Sequence, residues 1–117
     1  MARFIPINRL SVPIAGLNDA FTAAGFNMIF GRAANVSFYV AAQVFGLTHS
    51  LFYDDGTTSV ALIPPGSGIG LESTVGKIKT NEDFVAQAAI PANSKLIWNI
   101  VNGTAGIILV DALLQVE

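Results

Sequence analysis

The chain has 117 residues, a net charge of −2 and only 12% charged residues, against about 25% in ordinary soluble proteins. Its six basic residues are spread thinly, which argues against direct nucleic-acid binding, because phosphate contacts need clustered Lys and Arg. The chain contains no cysteine, which excludes disulfides, thiol catalysis and thiolate zinc sites.

Hydrophobic residues make up 52% of the chain, so few polar groups are left to cover its surface. We expect a single domain over 1–117 whose surface is partly buried against other subunits, because large exposed apolar patches on soluble proteins mark contacts. Prolines and polar residues interrupt the N-terminal apolar positions, so no secretory signal is expected. No window of about 18 residues is free of polar interruption, so no transmembrane helix is expected.

The first predicted element lies in 3–14, where apolar residues recur beside Pro6 and Pro13. Proline has no N–H to donate to the ladder between strands, so it is confined to edge strands or to segments outside the sheet. The segment is therefore predicted to be an edge strand or an extended arm. The whole of 1–34 is expected to form an N-terminal arm or cap.

A short helix is predicted within 15–26. Asn18 or Asp19 can cap its N-terminus through a side-chain oxygen, and Gly25 can end it in the left-handed conformation. The residues between them, 20–24, allow one or two turns, so at most one short helix is expected.

The β pattern is clearest from residue 35 onward. In 35–45, side chains alternate between two faces with the period of two that marks a strand. A second strand is predicted over 46–53. The turn sequence at 54–57 then returns the chain into a hairpin partner at 58–63.

The middle of the chain gives weaker signals. The Pro-Pro-Gly-Ser-Gly-Ile-Gly sequence at 64–70 predicts a loop, and 69–75 is compatible with a short strand. The pattern in 78–90 is compatible with a strand or with a short helix beginning near Asn81. Extended structure is favoured over 84–89.

The last two predicted strands, at 95–101 and 107–116, are separated by a turn that begins with Asn-Gly. One face of the last strand is entirely apolar and suits the core. The other face mixes apolar and polar groups, as expected where a neighbouring subunit or a loop covers it. The residues of this second face are Ile107, Leu109, Asp111, Leu113 and Gln115.

Several short strands with turns about 8–12 residues apart predict an all-β protein. We expect an antiparallel β-sandwich or a jelly-roll-like small barrel, with an extended N-terminal arm and at most one short helix. The sandwich core is expected within 35–117.

Few residues offer catalytic or metal-binding chemistry. His49 is the only histidine, and the adjacent Ser50 points to the opposite face of a strand, so a Ser-His-Asp triad is not expected. Asp54 and Asp55, with Glu72, supply carboxylates for a hard cation. Because they lack EF-hand spacing, we interpret the two aspartates as turn residues.

The remaining motifs also do not indicate catalysis or ligand binding. The Gly-rich stretch 66–70 lacks the Lys-Ser/Thr of a phosphate loop. No spacing supports a glycosidase-type pair of carboxylates among Glu72, Glu82, Asp83 and Asp111. We therefore expect no enzyme activity, no cofactor and no metal.

A resemblance is carried by NVSFYVAAQVFGLTHSLFYDDGTTSVALIPPG and, further on, by AAIPANSKLIWNIVNGTAGIILVDALLQVE. A hairpin about an Asp-Gly turn, a Pro/Gly loop, an Ile-Pro-Ala turn and a final apolar strand follow one another. Over about residues 35–117 this resembles the small β-sandwich virion proteins of bacteriophages and related viruses. The N-terminal third departs from that pattern.

The resemblance implies a structural subunit of a viral particle, with a minor capsid, decoration or coat role. Its partners would be copies of itself and other capsid proteins, and its location the virion, assembled in the host cytoplasm. It brings no catalytic, cofactor or metal residues. We expect the interface on the N-terminal arm and on the outer face of the last strand, at Phe4, Ile5, Ile7, Ile107, Leu109 and Leu113.

Two other functions stay open at this point. A β-sandwich binding module for carbohydrate or apolar ligands would need a cleft with exposed aromatic side chains. A membrane-associated β protein would need strands with apolar side chains facing outward. We expect neither a membrane nor nucleic acid as a partner.

Overall fold

A computed structural model of the chain describes residues 3–71 and 78–117. The predicted all-β class is confirmed, because the described residues form eight strands and one short helix. In chain order the elements are β1 (Arg3–Val12), α1 (Ala20–Ala23), β2 (Ile29–Phe30), β3 (Ala34–Ala42), β4 (Leu47–Asp54), β5 (Ser59–Gly68), β6 (Phe84–Ile90), β7 (Ser94–Asn102) and β8 (Ile108–Val116).

The strands form two four-stranded antiparallel sheets. The first has the order β1-β8-β3-β6, and the second has the order β2-β7-β4-β5. Most consecutive strands therefore lie in opposite sheets, which is the strand order of a jelly roll built from two Greek keys. The sandwich prediction is confirmed, in its jelly-roll form.

Aromatic rings join the two sheets through the core. Trp98 of β7 and Phe38 of β3 come from opposite sheets, and their ring centroids lie 5.0 Å apart, edge to face. Phe21 of α1 completes the cluster at 5.6 Å from Trp98 and 5.7 Å from Phe38. All three side chains are fully buried. We call Phe21, Phe38 and Trp98 the aromatic cluster.

The N-terminal third of the chain contributes to both sheets. β1 is an edge strand paired with β8, as one alternative for 3–14 predicted. Pro6 is tolerated because, among the described residues, no strand pairs with the other side of β1. After β1 the chain follows the free edge of β7, where Leu17 exchanges two backbone hydrogen bonds with Ile100, both 2.8 Å. Val12 and Phe30 are buried in the core.

The predicted helix is present as α1, which is one turn long. Asp19 precedes it, but its side chain makes no capping hydrogen bond to the backbone. Instead the carboxylate accepts the Thr22 hydroxyl at 2.8 Å and pairs with Lys95 Nζ at 2.9 Å. Burial raises the pKa of Asp19, but the hydrogen bonds from Lys95 and Thr22 outweigh it and hold the pKa below the ordinary 3.8. Gly25, with φ of 93°, follows the helix as predicted.

The predicted loop at 64–70 is wrong, because β5 continues to Gly68. The prolines are accommodated because β5 is the outer strand of the second sheet, where a missing N–H costs no ladder bond. The pairing of β4 with β5 shifts register on either side of Leu51, and these irregularities absorb the prolines. The Ser67 hydroxyl also donates to the Pro64 carbonyl at 2.7 Å.

Two further predictions concern the connection into β6. Extended structure over 84–89 is confirmed, since β6 spans Phe84–Ile90 and pairs with β3. Of the short strand suggested for 69–75, only 69–71 is described, and there Leu71 forms an isolated bridge with Ala42. Residues 72–77 lie outside the described part of the chain.

Replacing Phe21 by Ala should lower the free energy of unfolding by about 3–5 kcal/mol, because it leaves a cavity inside the aromatic cluster. Urea unfolding followed by tryptophan fluorescence measures the change. Ile29→Ala is the control, since Ile29 on β2 is 59% exposed and its truncation should cost less than about 0.5 kcal/mol. Equal effects of the two substitutions would contradict the packing role of Phe21.

Candidate functional site

An apolar row crosses the outer face of the first sheet. The strand register places Pro6 opposite Leu113, Leu113 opposite Tyr39, and Tyr39 opposite Phe84. The Tyr39 and Phe84 rings contact edge to face at 5.7 Å. Phe84 is 48% exposed, and Leu113 is half-buried. We call Pro6, Tyr39, Phe84 and Leu113 the apolar row.

A buried carboxylate lies on the same face of β8. Asp111 is 0% exposed, its Oδ1 accepts the backbone N–H of Arg9 at 2.7 Å, and Nη1 of Arg9 lies 3.7 Å from Oδ2. Arg9 has φ of 54°, where the pairing of β1 with β8 shifts register. The bulge thus folds Arg9 over Asp111, because a buried charge without a partner would be costly.

The predicted interface residues separate into two groups. Phe4 is exposed, Leu109 and Leu113 are half-buried on the outer face, and Ile107 is exposed just before β8. Ile5 and Ile7 are not at that surface, because the alternation of β1 turns them inward. Ile7 is 4% exposed in the core, and Ile5 packs against it. We therefore remove Ile5 and Ile7 from the candidate surface.

A second apolar surface lies where β1, β3 and β7 finish and β8 begins. The loops there carry exposed side chains of isoleucine, valine and phenylalanine, with exposed fractions from 41% to 72%. We call this surface the loop end. Its residues are Ile14, Val44, Phe45, Val101 and Ile107.

The buried side chain of Asn102 connects two of these loops by hydrogen bonds. Its side-chain amide nitrogen lies within hydrogen-bond distance of the carbonyls of Val12, Pro13 and Gly106, at 3.1, 3.2 and 2.9 Å. Its side-chain oxygen accepts the backbone N–H of Thr104 at 2.9 Å. Since Asn102 is buried, these bonds hold the loop after β1 against the β7–β8 loop.

The β3–β4 loop is fastened to the same place. The N–H of Gly103 donates to the carbonyl of Gly46 at 3.0 Å. Gly46 has φ of 114°, and a Cβ there would lie 2.5 Å from Cγ2 of Thr104, so the close approach requires glycine. The hydrogen bonds therefore order the loops that carry Phe45 and Ile107.

Charge is distributed unevenly between the two ends of the sandwich. At the loop end the segments 13–16, 43–46, 68–71 and 101–107 contain no Asp, Glu, Lys or Arg, whereas Lys79, Glu82 and Asp83 precede β6 at the same end. The opposite end begins β1 and β7 and holds the β2–β3 and β4–β5 connections. Its charged residues include Arg3, Arg32, Asp54, Asp55, Lys95 and Glu117.

His49 is buried and accepts a hydrogen bond within the protein. It is 2% exposed, and the Trp98 indole N–H donates to its Nδ1 at 3.0 Å. Burial lowers the pKa of His49 from 6.5 to about 4, so the ring is neutral at pH 7. Ser50, its neighbour, points to the other face of β4. Ser50 therefore does not face the ring of His49, and the hydroxyl of Ser67, opposite His49 on β5, donates to the Pro64 carbonyl.

The acidic candidates bind backbone atoms of their own loops. Asp54 accepts the N–H of Gly56 at 2.8 Å, and Asp55 accepts those of Thr57 and Thr58 at 2.9 and 2.8 Å. The bonds from Thr58 and Thr57 lower the pKa of Asp55. The turn interpretation of these aspartates is confirmed by these bonds.

The other carboxylates are dispersed. Asp83 accepts the Lys79 N–H at 2.8 Å, and Glu82 pairs with Lys79 Nζ at 3.9 Å. Glu72 lies outside the described residues. Within 3–71 and 78–117, no three His, Cys, Asp or Glu side chains form a group that could hold a metal ion.

Two shallow clefts are present on the surface. One, of about 390 Å³, is lined by Asn8, Arg9 and Phe26 among others. The other, of about 350 Å³, includes Arg3 and Glu117. Trp98 is fully buried, so its ring is unavailable to a ligand in either cleft. No helix in the described part of the chain is long and apolar enough to cross a membrane.

Sequence reasoning found Ile107 but missed the rest of the loop end. Each segment is a short turn with one or two apolar residues, which is unremarkable by itself. A signal was nevertheless available, because 13–16, 43–46 and 101–107, at or beside the ends of predicted strands, all lack charged residues. Turns in soluble proteins are normally polar.

Comparisons with protein-family models and with curated proteins gave no match. Among solved structures, the chain is similar to the VP2 subviral particle of infectious bursal disease virus, with 17% identity and a TM-score of 0.48 over 98% of this chain and 32% of that chain. The Gt strain of the same virus gives 15% identity and a TM-score of 0.37, over 99% of this chain and 30% of that chain.

This chain thus spans about a third of the length of the virus chains it matches. Identities and TM-scores this low say nothing about function. We therefore take the function from the strand order and the surfaces of this chain.

The stability of the protein should fall as the pH is lowered from 6.5 toward 4. The folded state keeps His49 neutral down to about pH 4, whereas the unfolded chain takes up a proton near pH 6.5. The loss should reach about 3 kcal/mol, measured by urea unfolding at a series of pH values. In His49→Gln, which can still accept from Trp98, the slope in this window should disappear. An unchanged slope would contradict the assignment, since the lowered pKa values of Asp19 and Asp55 act only below about pH 4.

Proposed function

We propose that the chain is a structural subunit of a viral shell that acts by self-association and has no enzyme activity. The observation that carries this proposal is the jelly-roll strand order combined with two apolar surfaces on its outside. Jelly rolls with two Greek keys serve as capsid domains, lectins and cupins, so the surfaces must decide among these.

A filled interior favours an assembly role over ligand binding. The space between the sheets is occupied by the aromatic cluster and by aliphatic side chains such as Leu51, Leu114 and Ile100, all nearly or fully buried. A ligand between the sheets would have to displace this packing, which is as dense in proteins as in organic crystals. The outside of the sandwich is therefore the better candidate for the functional region.

The apolar row supplies a suitable contact. Together with Phe4 it lies across all four strands of the first sheet, a broad and shallow surface of the kind that packs against another protein. An average interface buries about 800 Å² per partner. At about 25 cal/mol per Å² with half the area apolar, this gives about 10 kcal/mol gross from each partner's surface. Much of that is offset by lost translational freedom, so many weak contacts repeated by symmetry would hold a shell.

The finer roles follow from this proposal. The chain would act as a minor capsid, decoration or coat protein of a bacteriophage or related virus, and would be located in the virion. It would contact copies of itself and other capsid proteins. The carbohydrate or apolar-ligand module and the membrane-associated protein have weaker support. The two clefts lack an exposed tryptophan or tyrosine among the lining residues.

Replacing Leu113 by Asp should abolish particles while leaving the subunit folded, because it puts a charge in the middle of the apolar row. Light scattering and electron microscopy measure the particles, and circular dichroism checks the fold. Val60→Asp is the control, since Val60 is an exposed apolar residue, 39% exposed, on β5 of the other sheet. Particles of unchanged size from Leu113→Asp would exclude the apolar row, and a wild-type protein that stays monomeric at high concentration would overturn the proposed function.

A further inference from the structure

We propose that the loop end is a second self-contact, which packs against the loop end of another copy of this chain. The inference rests on the proposed function and adds to it the surface and the partner. A single type of self-contact builds only a dimer, a ring or a filament. A closed shell of copies requires a second contact in a different place, and the loop end lies away from the apolar row.

The absence of charge in its segments favours another copy as the occupant. Two copies that meet through 13–16, 43–46 and 101–107 bring together no Asp, Glu, Lys or Arg. Lys79 and Glu82, which precede β6 at the same end, pair with each other at 3.9 Å, so a contact through these three segments buries no unpaired ion. A partner with a charged surface would have to bury those charges against Phe45 and Ile107 with nothing to pair them.

The size of the apolar surface is also right for a self-contact. An Ile, Val or Phe side chain is worth about 1.5–3 kcal/mol when fully buried, which corresponds to roughly 60–120 Å² each. The five residues of the loop end are 41% to 72% exposed, so together they present roughly 180–360 Å² of apolar surface. An average interface contains about 450 Å² of apolar surface per partner. The loop end therefore supplies roughly 40–80% of that amount.

The loops are ordered in advance, which reduces the entropic cost of association. Asn102 binds the carbonyls of Val12, Pro13 and Gly106, and Gly103 binds the carbonyl of Gly46. Gly16 is a second close approach, because a Cβ at that position would collide with the carbonyl oxygen of Ile100. Phe45 and Ile14 therefore stand on loops that need little ordering when a partner binds.

A lipid membrane is the alternative binding partner for the loop end. Loops that insert into membranes are commonly supported by Lys or Arg, which anionic headgroups attract. The segments of the loop end contain none, Lys79 at the same end pairs with Glu82 at 3.9 Å, and the arginines Arg3 and Arg32 lie at the opposite end of the sandwich. The charge distribution thus favours a second copy over a membrane.

The chain offers a matched pair for the test. Ile14 at the loop end and Ile29 at the opposite end are the same residue type, and both are 59% exposed. Each is replaced by Asp in the full chain carrying Leu113→Asp, where the apolar row is blocked and only the second contact acts. Circular dichroism and the thermal midpoint check that the variants stay folded, and analytical ultracentrifugation measures association.

We expect small oligomers from Leu113→Asp alone and from Leu113→Asp with Ile29→Asp. With Ile14→Asp the association constant should fall by roughly 100-fold or more, because a carboxylate is buried without a partner. Equal association of the two double variants, or a monomeric Leu113→Asp single variant, would overturn the inference. The inference would also be overturned if the wild type floated with neutral phosphatidylcholine vesicles and Ile14→Asp did not. In that case the loop end would bind a membrane and not a second copy.

The experiments distinguish an error in the proposed function from an error in the loop-end contact. If the wild type forms no particles but its small oligomers still dissociate on Ile14→Asp, the shell role is wrong and the loop-end contact stands. If particles form and are unaffected by both Ile14→Asp and Phe45→Asp, the shell role stands and the loop-end contact is wrong.

Discussion

The rest of the structure depends on the contact between Trp98 and Phe38, which joins one sheet to the other. Phe21 lies against both rings and brings the helix into the same cluster. A buried indole N–H needs an acceptor, and His49 supplies one because burial keeps its ring neutral. The single histidine of the chain thus acts in the core, where its protonation would oppose folding.

Because side chains fill the core, any binding or assembly has to use the surface of the protein. Two ion pairs hold peripheral segments in place. Arg9 with Asp111 keeps the bulged part of β1 on β8, and Lys95 with Asp19 keeps the start of α1 on β7. The rest of the surface is divided into a highly charged end, a loop end with few charges and the apolar row on one sheet. In the proposed function, this division gives identical copies two different places to meet.

The strands of the second half could be predicted from alternation alone. The period of two in 35–45, 95–101 and 107–116 matches β3, β7 and β8, and the Asp-Gly turn matches the β4–β5 hairpin. The predicted loop at 64–70 was wrong because local proline and glycine content does not show that β5 is an edge strand. Ile5 and Ile7 were predicted to be interface residues for a similar reason. The sequence does not show that β1 lies in a sheet that has one face toward the core.

The sequence by itself determined the β class, the inner and outer faces of the long strands and the shortage of charge, because alternation and composition are local properties. Only the tertiary structure decided that β1 pairs with β8, about a hundred residues away. It also decided that the turns at 13–16, 43–46 and 101–107 meet at one end of the sandwich. Those outcomes depend on pairing between distant strands and on close approaches such as that of Gly46 to Thr104, which no local pattern encodes.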